Sequence, residues 1–105
     1  MFVRNLSMHL RPNSLTAFNK AFADVVLPDL RKQAGFVDEL AFVNDNYNHI
    51  TAISLWESRE AADAYQASGH AFAMAALEKV IAGDAKTRTS SVVSCTIREC
   101  EQAAV

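Results

Sequence analysis

Between residues 71 and 82 the chain reads AFAMAALEKVIA, and only Glu78 and Lys79 are charged. A helix with so little polar surface cannot turn a side to water, so this stretch must be contacted from several directions. Its small residues, Ala71, Ala73, Ala75 and Ala76, permit close backbone approach or leave space for a ligand. The rest of the chain must supply the cover, and 105 residues make one domain, not two. Half of the residues are hydrophobic, the upper edge for a soluble domain of this size. The surplus is expected to meet a partner.

The remaining elements follow from periodicity. Phe2, Arg4, Leu6 and Met8 alternate with Val3, Asn5, Ser7 and His9, which is a strand with neither face fully polar. Pro12 and Asn13 break it. Asn13 or Ser14 can cap a helix over residues 14–33, in which Leu15, Phe18, Phe22, Val25 or Val26 and Leu30 recur at helical spacing. Pro28 should kink or interrupt that helix, and Gly35 fits a left-handed stop. Residues 36–44 and 49–56 read as two strands of a hairpin around Asp45-Asn46-Tyr47-Asn48. Ser58 can cap a second helix through Ala67, Gly69 interrupts it, and a second piece runs from His70 to Ala82 and ends at Gly83. Residues 87–99 close the pattern as a fourth strand.

The order is βαββαβ. Two helices crossing one face of a four-stranded antiparallel sheet make an α+β, ferredoxin-like arrangement, here expected to have strands one and three as parallel neighbours. Residues 1–100 form the single domain and 101–105 a tail. The uncovered sheet face, with apolar side chains on both sides of strand one, is expected to pack on a second copy.

Twelve acids and ten bases are scattered, giving a formal charge of −2 and no like-charge block, so nucleic-acid binding is excluded. No window approaches the roughly 18 apolar residues of a membrane span. The first residues alternate instead of forming a leader's apolar core, so the chain is read as cytoplasmic. Cys95 and Cys100, in an extended tail, would lie about 16 Å apart on opposite faces, beyond the about 7 Å that a disulfide spans, and read as spectator thiols. No histidine spacing suits a metal, and no nucleophile elbow or phosphate loop occurs.

Gly35-Phe36, the hairpin, ISLWES at Ile53 to Ser58 and REAADAYQASGHAF to Phe72 together resemble the antibiotic biosynthesis monooxygenase superfamily of dimeric α/β barrels. The resemblance implies a homodimer joined through sheet faces and a cleft for an apolar or aromatic small molecule. It also implies a cofactor-independent monooxygenase: a quinol, phenol or enol loses a proton, and its anion reduces oxygen directly. Such chemistry needs a dry pocket, a donor for the oxyanion and a base. The alternative is a non-catalytic binding or stress-response module in the same fold. Haem binding and degradation is a minor alternative: Asn5 matches that pattern's asparagine, but Tyr65 stands for its tryptophan. Its histidine region reads Met74-Ala75-Ala76, and His70 lies about a turn early.

The expected catalytic set is His70 or Tyr65 as proton acceptor and Asn5 as oxyanion donor. His70 opens a helical piece whose positive end favours the neutral ring, while Tyr65 and Asn5 have structural readings beside the functional ones. Trp56 offers an indole N–H or anchors the core. His9, expected at the Trp56 end of the sheet and remote from His49, is a second pocket residue. Phe22, Phe72 and Met74 complete the expected pocket. Phe18, Phe36 and Phe42 read, with Phe22 and Phe72, as core.

Overall fold

A computed structural model describes residues 1–97. Cys100 and the expected tail 101–105 lie outside the described residues. Strand β1 spans Phe2–Leu10, β2 Phe36–Val43, β3 His49–Trp56 and β4 Ile81–Ser91. Helix α1 (Leu15–Ala21) runs through a π turn (Phe22–Val26) into α2 (Leu27–Arg31), and α3 (Arg59–Ser68) and α4 (His70–Leu77) follow β3. The sheet order is β2-β3-β1-β4 with every pair antiparallel, the ferredoxin-like α+β arrangement.

One expected feature is corrected. β1 and β3 are antiparallel, with Phe2 opposite Trp56 and His9 opposite His49. The helical crossover makes β1 and β2 run the same way, and β3, the hairpin partner of β2, is inserted between them in the opposite sense. The two histidines therefore pair at one end of the sheet, ring centroids 5.3 Å apart, and His9 is at the far end from Trp56.

β1 turns Phe2, Arg4, Leu6, Met8 and Leu10 inward under the helices, where they meet Ile50, Ala52 and Trp56 of β3. Phe18, Phe22, Val26 and Leu30 close the core from above. Their constant spacing of four overshoots a 3.6-residue turn, and the π turn's wider i→i+5 winding keeps them on one side. Pro28, with no N–H to donate, occupies the first turn of α2 directly after it. The expected interruption at Pro28 thus takes the form of a π turn.

Gly35 is left-handed at φ 80° as the stop signal required, and a side chain there would also collide with Ala61. Ser58 Oγ accepts from Ala61 N–H at 3.1 Å and caps α3. Ser14 makes no side-chain cap.

The second apolar piece stops at Leu77, not Ala82. β4 starts at Ile81 instead of Thr87 because Leu10 pairs with Ile81, and Gly83, at φ 73°, lies in a bulge opposite the Ser7 to His9 step. Within this chain α4 is covered on one side only: Ala73 and Leu77 are buried, while Phe72 is 52% exposed. Phe42 is also surface, not core. Cys95 follows the end of β4, is half-buried and is disulfide-bonded, so the strand geometry behind the spectator-thiol reading does not hold there.

Candidate functional site

Register carries polar residues into the core. Arg4 of β1 lies opposite Ser54 of β3, and Ser54 opposite Glu39 of β2, so the three form one row across the inner face. Arg4 is 4% exposed. A buried guanidinium is costly unless its hydrogens are placed. Its Nη2 donates to Gln66 Oε1 of α3 and faces His70 Nδ1 of α4 at 3.2 Å, while the group lies 4.9 Å over the Tyr65 ring.

Two atoms of this row are left without partners. Arg4 Nε and Glu39 Oε1 are shut off from solvent, and neither has a hydrogen-bond partner. Both residues line a small cavity of about 30 Å³ together with Ser54, Tyr65, His70 and Met74, its apolar wall including Phe22 and Leu77. A larger groove of about 700 Å³ by residues 12–16 and 46–48 has no charged residue in its lining.

The environment sets the protonation states. Burial pushes the Tyr65 hydroxyl up, partly opposed by Arg4, so it stays a phenol and a donor at neutral pH. Burial and then the Arg4 charge hold His70 below its ordinary value. Because a guanidinium can only donate, the His70 Nδ1 lone pair is taken and its Nε2 carries the hydrogen. Burial and the adjacent Asp38 push Glu39 up to about 7, against the pull of Arg31.

Of the expected site residues, His70, Tyr65, Phe22 and Met74 come together at the cavity. Trp56 is fully buried beside it, with its indole N–H spent on Ser54 Oγ at 2.9 Å and its ring 5.2 Å from Tyr65. Asn5 does not reach the cavity: it alternates with Arg4 and lies on the outer face. His9 shares that outer face, and Phe72 points outward. Arg4, Glu39, Ser54 and Gln66 were not singled out from the sequence. Arg4 had a signal, an arginine in phase with Phe2, Leu6 and Met8.

Among the described residues no group of three or more His, Cys, Asp or Glu could hold a metal ion. The one histidine that lines the cavity, His70, has its Nδ1 turned to Arg4. What the site can do is hold a hydroxyl group between a cation and a carboxyl group in a largely dry place.

No curated protein matches the chain. Among solved structures it is similar to a monooxygenase from the gene ActVA-Orf6 of Streptomyces coelicolor, in complex with the ligand nanaomycin D. That likeness has a TM-score of 0.76 and 16% identity, over 91% of this chain and 90% of that one. It is similar to SnoaB, a cofactor-independent oxygenase from Streptomyces nogalater, at TM-score 0.74 and 16% identity over 90% and 95%. A protein of unknown function from Nitrosomonas europaea matches at 0.75 and 11% over 91% and 92%. At these identities the structures speak for the fold. The family profile described as antibiotic biosynthesis monooxygenase matches residues 1–77, most of the chain, and the chain belongs to that family.

Proposed function

We propose that this protein is a cofactor-independent monooxygenase that oxidises a small aromatic or polyketide-like quinol or enol with O2. The observation that carries the reading is the buried, partly unpartnered Arg4 beside Tyr65 and His70 in an apolar cavity. A cation fixed there stabilises an enolate or phenolate oxygen as it forms, which is what makes the substrate electron-rich enough to reduce oxygen. A substrate CH2 gains one oxygen atom as C=O, and its two hydrogens leave with the second oxygen as water. Arg4 takes the oxyanion role expected of Asn5, and Tyr65 and His70 Nε2–H serve as donors that orient the ring. The naming of SnoaB as a cofactor-independent oxygenase supports the same chemistry for a relative of this fold.

The cavity of about 30 Å³ holds one water-sized group. In this reading the substrate's oxygen occupies that space, and its ring takes the place of Met74, an unbranched side chain at the rim that can swing aside. The same small volume is what favours a second reading, a binding module without turnover. Oxygen uptake separates them: purified protein is given anthrone and a panel of naphthohydroquinones, with Tyr65→Phe and His70→Ala beside the wild type. Protein-dependent uptake that falls in both variants is expected. Uptake no faster than buffer across the panel would put the binding module in front.

The reading also includes a homodimer. The outer sheet face carries Val3, Ile53 and Leu55, with Leu40 61% and Phe42 49% exposed at its β2 side, an apolar surface suited to a second copy.

A further inference from the structure

We infer that Glu39 is the general base of this site, accepting the proton of the substrate's hydroxyl on Oε1 while Arg4 Nε–H receives the oxygen left behind. This rests on the monooxygenase reading for its substrate, but the geometry behind it is independent of any relative. Two residues that line one cavity each hold a buried atom without a partner, a donor on Arg4 and an acceptor on Glu39, and the pair fits a group that both accepts and donates, as a phenolic or enolic hydroxyl does.

The other polar groups at the cavity are ruled out in turn as acceptors. His70 Nδ1 faces a cation that can only donate. Tyr65 is held as a phenol by burial. Ser54 Oγ already accepts the Trp56 N–H, and Asn5 lies on the other face of the sheet. Glu39 remains, with the charges of Asp38 on its own strand and Arg31 of α2 acting on it, and with Arg4 of β1, Tyr65 of α3 and His70 of α4 lining the same cavity. Burial and Asp38 outweigh Arg31, so it titrates near 7, where a base is both available and strong enough.

The step balances without another reactant. The substrate O–H bond breaks, the proton passes to Glu39 Oε1, and the electron pair stays on the substrate oxygen against Arg4. After oxygen has added to the substrate carbon, the carboxylic acid returns that proton to the outer peroxide oxygen, and loss of the carbon's remaining hydrogen as the O–O bond breaks leaves C=O and one water.

The test has two arms, each run on wild type and on Glu39→Gln, which keeps size and shape. In the first, oxygen uptake with anthrone and naphthohydroquinones is followed from pH 5 to 9. The wild-type rate should rise as pH passes about 7, and Glu39→Gln should lose that rise and fall about 10²- to 10⁴-fold. An unchanged rate and profile in Glu39→Gln overturns the inference while leaving the monooxygenase reading standing. In the second arm, 3-nitrophenol is titrated about one pH unit above the Glu39 value of about 7, where the carboxyl is ionised before binding, its colour reporting phenolate and calorimetry in several buffers counting protons released. Wild type should bind it as phenolate and release no proton, because Glu39 keeps it. Glu39→Gln should bind it colourless or release about one proton for each phenolate formed. Equal colour and equal proton count in the two proteins, or no binding by wild type, overturns the inference even where no substrate is turned over.

Discussion

Two charged residues, Arg4 and Glu39, define the site at the scale of single residues, and each has a measurable cost. A buried arginine held by a rim glutamine and a histidine is poor value for stability, because an apolar side chain of like volume avoids the desolvation. Arg4→Met is expected to leave the denaturant midpoint unchanged or raise it, while removing oxygen uptake and raising the His70 value followed by NMR, since the Arg4 charge is one cause of its depression. A clear loss of stability would mean that Arg4 is there to hold the fold. Glu39 gives a pH signature. Its folded value near 7 exceeds the ordinary 4.5, so the folded chain holds its proton more tightly, and stability falls as pH rises from about 4.5 through 7. With Glu39 half-exposed and screened, the loss should be about 1–2 kcal/mol, read as a falling midpoint that Glu39→Gln flattens. His70, depressed in the fold, acts in the opposite sense near its own range. Arg4 was legible in the sequence from its phase in β1. Glu39 was not, because a bulge between Phe36 and Asp38 shifts the alternation. Counted straight from Phe36, Leu40 and Phe42 fall inside and Glu39 outside; the extra residue reverses that.

At the scale of elements, the join between α3 and α4 positions Tyr65 against Trp56 and Arg4. Gly69 is not required there for backbone freedom, since its φ is −109°. It is required for room, because an added Cβ would sit in the edge of the Tyr65 ring. Alanine normally helps a helix by up to about 1 kcal/mol over glycine. Here Gly69→Ala is expected to cost about 1–3 kcal/mol through overpacking, and to displace Tyr65 from Arg4. Guanidinium-chloride unfolding checks the first, and the second shows as lost uptake or ligand binding; a stabilised variant would mean that the ring is free to move. The break at Gly69 was legible as a helix interruption, but its purpose was not. The end of α4 comes earlier than helical periodicity predicts for a related reason: Val80, Ile81 and Ala82 continue an apolar run that serves a buried strand as well as a helix. What decides is the pairing of Ile81 with Leu10, a contact between residues far apart in sequence.

At the scale of the whole molecule, the sheet has two apolar faces and the helices cover one. On the outer face Val3, Ile53, Leu55 and Leu40 line a groove of about 470 Å³ that the segment after β4 faces through Val92 and Ile97. Four strands about 4.8 Å apart and about eight residues long present roughly 500 Å² of projected area before side-chain relief is counted. A stable pair of partners hides about 800 Å² on each, so the face is large enough only if most of it is used, including Leu40 and Phe42 at the β2 edge. Charging that edge should then be decisive. Wild type is expected to scatter light as twice the 11.5 kDa chain mass at micromolar concentration, and Leu40→Glu with Phe42→Lys to return it to one chain with its circular dichroism intact. Both side chains are already exposed in the single chain, so their replacement costs the fold little, and a change of mass reports the interface alone. A wild type at the single-chain mass would place the partner of this face elsewhere, and the excess of hydrophobic residues would then need the exposed side of α4, with Phe72, as its second outlet.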